Sequence, residues 1–289
     1  MIFYRVLGLL PLRVLYTVAG LIYYVIYYLV GYRKEVVREN LVKAFPDKNE
    51  TEVTVLSKMF YRQLTDVAME IIKARQMSKA DFCERITLCN PQLLDEVSRQ
   101  SQRSVIILAV HQGNWEWMLH GITAAMDIRV DPIYKQLHNS AADKLIFEIR
   151  SQFGARPVSL KESARNILRH RREFRCLGML ADQAPTPGER GHWTSFMNQS
   201  AAFHLGAESI AKLTEFPVVF AQCQRVSRGY YEVEFHSLGE PPYDDPEGVL
   251  TQRYVELAEQ AIRQEPQSWL WSNRRWKRSR IEDTLEPGN

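Results

Sequence analysis

The hydrophobic pattern divides the chain into three stretches. Residues 14 to 32 form a run of 19 without a charge. As a helix this run is roughly 28 Å long, close to the thickness of a bilayer core. Arg5 and Arg13 precede it, and Arg33, Lys34 and Arg38 follow it. Tyr16, Tyr23, Tyr24, Tyr27, Tyr28 and Tyr32 lie inside it. Tyrosine favours the membrane–water interface, so a helix lying in the interface stands beside a spanning one. No small-residue cleavage site follows, which argues against a secretory signal peptide. A buried helix of a soluble core is the plainer alternative.

From 35 to 99 the apolar spacing turns helical. Residues 35–45 predict a short amphipathic helix, ended by Pro46-Asp47. Across 50–75, Val53, Leu56, Phe60, Leu64, Val67, Ile71 and Ile72 recur at three- and four-residue intervals, the signature of one buried helical stripe. Segments 78–86 and 91–99 predict two shorter helices. From 104 onward strand and helix patterns alternate. Strands are expected at 105–110, 128–134, 155–158, 176–181, 218–223 and 230–235. Helices are expected at 115–126, 140–153, 161–169, 203–213 and 247–263. Such alternation implies an α/β fold with helices flanking the sheet. Arg228-Gly229 joins the last two strands as a hairpin, which makes the sheet mixed, mostly parallel. The expected parts are an N-terminal membrane anchor helix at 1–34, a helical segment packed on the catalytic domain at 35–103, and an α/β catalytic domain at 104–289.

Composition changes this picture little. The chain has 289 residues, 25% charged and 45% hydrophobic, with a net charge of +3. That balance is ordinary for a globular protein and does not demand nucleic acid. Cys83, Cys89, Cys176 and Cys223 form no CxxC pair and no zinc spacing, so they read as free thiols. Two basic clusters stand out. Arg165, Arg169, Arg171, Arg172 and Arg175 form one; Arg274, Arg275, Lys277, Arg278 and Arg280, interleaved with Trp269, Trp271 and Trp276, form the other. Beside a membrane anchor, an anionic headgroup surface is the economical reading, with a solvated face as the bland one.

The candidate chemistry begins where the strand at 105–110 ends. His111 follows six apolar residues, Gly113 permits a tight turn, and Asn114 suits the N-cap of the next helix. Open α/β sheets hold ligands outside the carboxyl ends of their strands. Glu116 falls in the first helical turn, where it is expected to fold back toward the imidazole as the partner of a general base. The strand at 176–181 ends in the same way, in Asp182-Gln183, so Asp182 is expected on the same rim, either near substrate or capping its own loop. Arg156 and Arg190 are loop arginines able to reach that rim and hold phosphates.

Several of these residues resemble one family. His111-Gln-Gly-Asn-Trp-Glu116-Trp resembles the H-x-G-N-W-E-W box of the lysophospholipid-acyltransferase-like lipid A biosynthesis acyltransferases, the late lauroyl and myristoyl transferases of Gram-negative bacteria. The segment from Tyr32 through Asn40-Leu41 to Phe45-Pro46, the Leu180-Ala-Asp182-Gln183 box with Gly-Glu-Arg190-Gly, and Trp269-Leu-Trp271 through Lys277 resemble its other signatures. The resemblance spans nearly the whole chain. It implies acyl transfer from acyl carrier protein to a hydroxyl of a lipid A precursor, with His111 as base, Glu116 as its partner, and no cofactor or metal. Gly113 and Asn114 would bring backbone N–H groups to the oxyanion, Asp182, Arg156 and Arg190 would contact substrate, and the basic cluster at 165–175 would dock the carrier protein. The implied partners are that carrier, the lipid and a membrane, with the catalytic domain on the cytoplasmic face of the bacterial inner membrane. The chain departs from the pattern at His192 to Asn198, where the family often has two phenylalanines, and at Asn273, where it usually has a histidine or arginine. The family's arginine between the first two boxes corresponds to Arg150 or Arg156. Two alternatives stay open: an acyltransferase with a glycerophospholipid acceptor, and a non-catalytic membrane-surface protein. Glu116, where glycerophosphate acyltransferases carry an aspartate, favours the first reading.

Overall fold

The computed structural model describes residues 2–101, 103–137, 139–186 and 188–277. The N-terminal third is helical: α1 (Ile2–Leu9), α2 (Leu12–Tyr24), α3 (Lys34–Ala44), α4 (Glu50–Ala74) and α5 (Lys79–Arg85). A π-helical turn, Val25–Val30, continues α2. Together they make a 19-residue helix, Leu12–Val30, long and apolar enough to cross a membrane by length and composition. Asn49 starts α4 with a capping box: its side chain accepts from the Thr51 and Glu52 amides, while Glu52 reaches back to the Asn49 amide. α4 carries the predicted apolar stripe and serves as the floor for α2, through Leu15, Ala19 and Met69, all buried.

The rest is a seven-stranded sheet covered on both faces. Its strands are β1 (Ile86–Leu88), β2 (Val105–Ala109), β3 (Val130–Tyr134), β4 (Val158–Ser159), β5 (Cys176–Leu180), β8 (Val218–Ser227) and β9 (Tyr230–Gly239), with a separate hairpin of β6 (Gly191–Phe196) and β7 (Gln199–His204). Helices α6 (Pro91–Ser101), α7 (Trp115–Met126), α8 (Ser140–Arg150), α9 (Ser163–Arg169) and α10 (Gly206–Thr214) connect them, and α11 (Val249–Gln264) follows the last strand. The order is β1-β9-β8-β2-β5-β3-β4. Strands β8, β2, β5, β3 and β4 run parallel; β9 is antiparallel to β8. The sheet is thus mixed and mostly parallel, as the sequence predicts.

Strand alternation sorts the core into two layers. Ile106, Leu108, Leu177 and Phe220 face α11 and the N-terminal helices. Val105, Ile107, Ala109 and Val219 face α5 and α7. Two elements differ from expectation. β1 falls at the end of a segment predicted as helix. The β6–β7 hairpin occupies a stretch for which no element is predicted up to 202, and β7 takes the first two residues of the predicted 203–213 helix. The hairpin's turn residues, Met197 and Asn198, both have positive φ (53° and 62°), as a two-residue primed turn requires. The usual Asn-Gly signal is absent. Met197 tolerates the strain because its side chain is fully buried and its amide donates to Glu259 at 2.7 Å.

Candidate active site

The parallel register sets the geometry. Ala109 of β2 pairs with Leu180 of β5, so His111 and Asp182, each two residues further on, emerge level at the same end of the sheet. Gly113 then turns the chain back with φ +60°, and a Cβ there would lie 2.5 Å from the Cys223 carbonyl oxygen of β8. Only glycine meets both conditions. Asn114 caps α7 through the Trp117 amide at 2.9 Å.

The imidazole partner is Asp182. His111 Nδ1 lies 2.7 Å from Asp182 Oδ1, and the His111 amide donates to Asp182 Oδ2 at 3.2 Å. The Trp269 indole N–H donates to the same Oδ2 at 2.7 Å. Burial alone would raise the Asp182 pKa; the facing His111, the indole and the amide outweigh it and hold the carboxyl below its usual range. An ionised carboxylate only accepts, so Nδ1 carries the proton and Nε2 presents its lone pair. The His111 side chain is 16% exposed, against 3% for Asp182. The Trp115 ring meets the imidazole edge-on at 5.2 Å.

Glu116 does not hold the imidazole, contrary to the sequence reading. Its carboxylate is turned to Arg150, which donates from Nε at 2.9 Å and from Nη2 at 2.5 Å. Being five residues from His111 puts Glu116 on the first turn of α7, on the side facing α8 rather than β5. The Trp115 indole adds a bond at 3.1 Å. Burial raises the Glu116 pKa, but Arg150 outweighs it and keeps the carboxyl below its ordinary value. This pair stands at the edge of an apolar pocket between α7 and the sheet, lined by Ile107, Ala109, Met118, Ile122, Val130, Met179 and Leu180. In the strand rows, Ile107 pairs with Gly178 and Gly178 with Pro132, so the pocket floor has no side chain at its centre.

The carboxyl-terminal signature packs directly against this turn. Leu270 donates its amide to the His111 carbonyl at 3.0 Å, and Gln112 donates from Nε2 to the Ala261 carbonyl at 2.8 Å. Asn40 of α3 donates to the Trp271 and Asn273 carbonyls, both at 2.8 Å. Four segments far apart in sequence therefore meet at one site. The whole-chain pattern of these segments is also found by comparison: the family model described as bacterial lipid A biosynthesis acyltransferase matches residues 1–278.

The chain belongs to the bacterial lipid A biosynthesis acyltransferase family. No curated protein matches it. As a member of the family it is an acyltransferase of lipid A biosynthesis.

Other site candidates of this acyltransferase fall apart from His111. Arg156 donates to Glu173, three residues before β5, and its amide donates to Asp131. It sits at the amino ends of the strands, opposite His111, so the arginine at the site is Arg150. The cluster at 165–175 shares that far end; its Arg175 is buried on Asp131 and Asn166. Arg190 lies beyond Asp182 at the start of β6, with a side chain 80% exposed and paired with Glu247. Asn114 is fully buried, and both its polar atoms bond inside the protein, so its part is support. In the second basic cluster Trp269, Trp271 and Arg275 are buried, and Arg275 stacks on Phe203 at 4.2 Å, while Arg274 and Lys277 are exposed. Arg278 and Arg280 lie outside the described residues. Trp269 was legible as part of a basic–aromatic run and of the carboxyl-terminal signature; nothing in the sequence pairs it with Asp182. Among the described residues no group of three metal-ligating side chains comes together.

Proposed function

We propose that this acyltransferase moves a fatty acyl chain from an acyl carrier protein thioester to a hydroxyl of a lipid A precursor, with His111 as general base. The observation that carries the proposal is the Asp182–His111 pair at the carboxyl end of β2, which leaves Nε2 free to accept a proton. An alcohol is a weak nucleophile at neutral pH, so its proton must leave as it attacks. His111 Nε2 takes that proton while the hydroxyl oxygen bonds to the thioester carbonyl carbon. The tetrahedral oxyanion then collapses, the C–S bond breaks, and the departing thiolate recovers the proton from His111. Asp182 fixes the tautomer and stabilises the imidazolium.

A covalent acyl-enzyme has no support here. The cysteine nearest the turn, Cys223, is buried, and burial pushes its thiol up to about 12. Its sulfur also takes the Asn114 amide, which leaves the Trp115 and Glu116 amides of the first turn of α7 as oxyanion donors. The apolar pocket beside Glu116 suits the hydrocarbon of the acyl group. In this reading Glu116 and Arg150 form a rigid ion pair at the pocket mouth, with Arg150 placed to meet the thioester region or a lipid phosphate. Arg190 is an exposed cation on the His111 side of β5 and is assigned to a phosphate. The exposed face of Leu12–Val30, with Leu21, Tyr24, Val25, Tyr28, Leu29 and Val30, would hold the enzyme on the cytoplasmic face of the inner membrane, where carrier protein and lipid meet.

The test is a reconstituted assay with acyl carrier protein thioester and lipid A precursor in mixed micelles. Asp182→Asn should lower kcat on the order of 100-fold, because the amide can donate to Nδ1 and favour the wrong tautomer. Activity of Asp182→Asn equal to wild type would remove the His111 mechanism.

A further inference from the structure

Glu70 of α4 is wholly buried and has no part in the chemistry above. Its carboxylate nevertheless joins three elements. Oε1 accepts from the Tyr16 hydroxyl of α2 at 2.8 Å. Oε2 accepts from Asn114 Nδ2 at 2.8 Å and from the Tyr231 hydroxyl of β9 at 2.6 Å. Its backbone carbonyl takes the Trp117 indole N–H of α7 at 2.9 Å. Among the described residues no cation is bonded to it; the nearby Arg225 is committed to Asp66 at 2.8 Å. Burying a carboxylate without a bonded cation is costly, and a merely structural position would favour an apolar side chain.

The arrangement around Asn114 indicates what the carboxylate does. Asn114 must present its oxygen to the Trp117 amide to cap α7, and its NH2 to Glu70. With both carboxyl oxygens of Glu70 already accepting from the Tyr16 and Tyr231 hydroxyls, Asn114 meets it by donating. Asn114 lies between Gly113, which turns the chain, and Trp115, whose amide starts the helix carrying Glu116. Holding Asn114 therefore holds the donors aimed at the oxyanion. The other oxygen is held by Tyr16, in the second turn of the apolar N-terminal helix.

We propose that Glu70 is a positioning residue of the transfer reaction, fixing the His111–Glu116 turn through Asn114 and making that geometry depend on the docking of the N-terminal apolar helix through Tyr16. The proposal rests on the reading of His111 as the base. It is tested with the full chain in mixed micelles by four variants: Tyr16→Phe, which deletes one hydroxyl and keeps the ring; Glu70→Gln, which can still accept from Asn114; Glu70→Ala, which cannot; and Tyr61→Phe, a matching deletion on α4 whose hydroxyl bonds to the Tyr32 carbonyl, away from Asn114.

For Tyr16→Phe, kcat should fall about tenfold with KM for the thioester donor unchanged, the scale of one lost hydrogen bond to a charged group. Glu70→Gln should keep more activity than Glu70→Ala, and Tyr61→Phe should match wild type in kcat. Hydrogen exchange of the segment 111–120 supplies a readout that needs no activity: it should quicken in Tyr16→Phe and not in Tyr61→Phe. Equal kcat and equal exchange in the two tyrosine variants would overturn the proposal, as would a loss in Tyr16→Phe that only tracks the fraction unfolded. A wild-type chain that transfers no acyl group would instead remove the functional reading, and the exchange comparison would still decide whether Tyr16 reaches the turn.

Discussion

His120 shows how a single buried side chain makes stability decline toward acid pH. It lies one turn beyond Glu116 on α7, packed against the rings of Phe82 and Phe153, and its Nε2 is buried without a partner. Burial pulls its pKa down to about 4, with Glu116 opposing and Arg150 adding to the shift. The folded state therefore refuses a proton that the unfolded chain accepts near pH 6.5. Between about pH 6.5 and 4 the unfolded state binds more protons, so stability declines as pH falls, by about 3 kcal/mol in all for this group. Asp182, whose folded pKa is depressed, acts with the same sign: its stabilisation is present above the unfolded value and is lost as pH falls through the folded one. His120→Phe should flatten the pH dependence of urea unfolding between pH 6.5 and 4; an unchanged slope would show that His120 is not the group responsible. Residue types and strand ends made His111 and Asp182 legible in the sequence, each as a polar residue closing an apolar run. Their pairing was not legible, because it depends on β2 and β5 being neighbours in register. Glu70 left a fainter trace, an acid on the apolar stripe of α4 between Val67 and Ile71.

The sheet rows, rather than any single motif, shape the apolar pocket. Gly178 sits between Ile107 and Pro132, and a Cβ on it would meet only Val130 Cγ1 at 3.4 Å and Pro132 Cα at 3.9 Å. A methyl fits there, and a longer side chain must rise into the pocket. Gly178→Leu should shift the transferred chain to shorter homologues when the enzyme is offered a mixture of thioesters. An unchanged product distribution in an active Gly178→Leu enzyme would place the acyl chain elsewhere. Alternation of strand and helix from 104 onward was readable because apolar runs and helical stripes differ in period. The β6–β7 hairpin was not, since its turn is Met-Asn and its apolar Phe203 continues smoothly into the pattern of α10. The helical third was read correctly as helices, while their function as a clamp, with Asn40 gripping the carboxyl-terminal signature, required the tertiary contacts.

Seen as one body, the enzyme has two ends. The carboxyl ends of β2 and β5 carry the site, while the amino ends carry the basic cluster, separated by roughly 20 Å of strand at about 3.3 Å per residue. Docking of a carrier protein at 165–175 would place it at the end of the sheet remote from His111. Charge reversal at Arg165, Arg169, Arg171 and Arg172 should leave the apparent KM for carrier-linked donor within about twofold of wild type, because screened charges act over only ~10 Å; a large rise would restore that face as the dock. The N-terminal helix is also placed by the whole. Leu15, Ala19 and Tyr23 pack inward, the Arg62 guanidinium lies 5.1 Å from the Tyr23 ring, and the opposite face is left apolar. Such a helix, with one side docked on the protein and the other left apolar, suits a place in the interface.

The most direct measurement is mass spectrometry of lipid A from cells lacking the gene, complemented either with wild type or with His111→Ala. With wild type, the mass of one acyl chain should return. With His111→Ala at equal protein level it should stay missing, since loss of the general base lowers the rate by about 100-fold or more. Full restoration by His111→Ala would contradict the mechanism built on the Asp182–His111 pair.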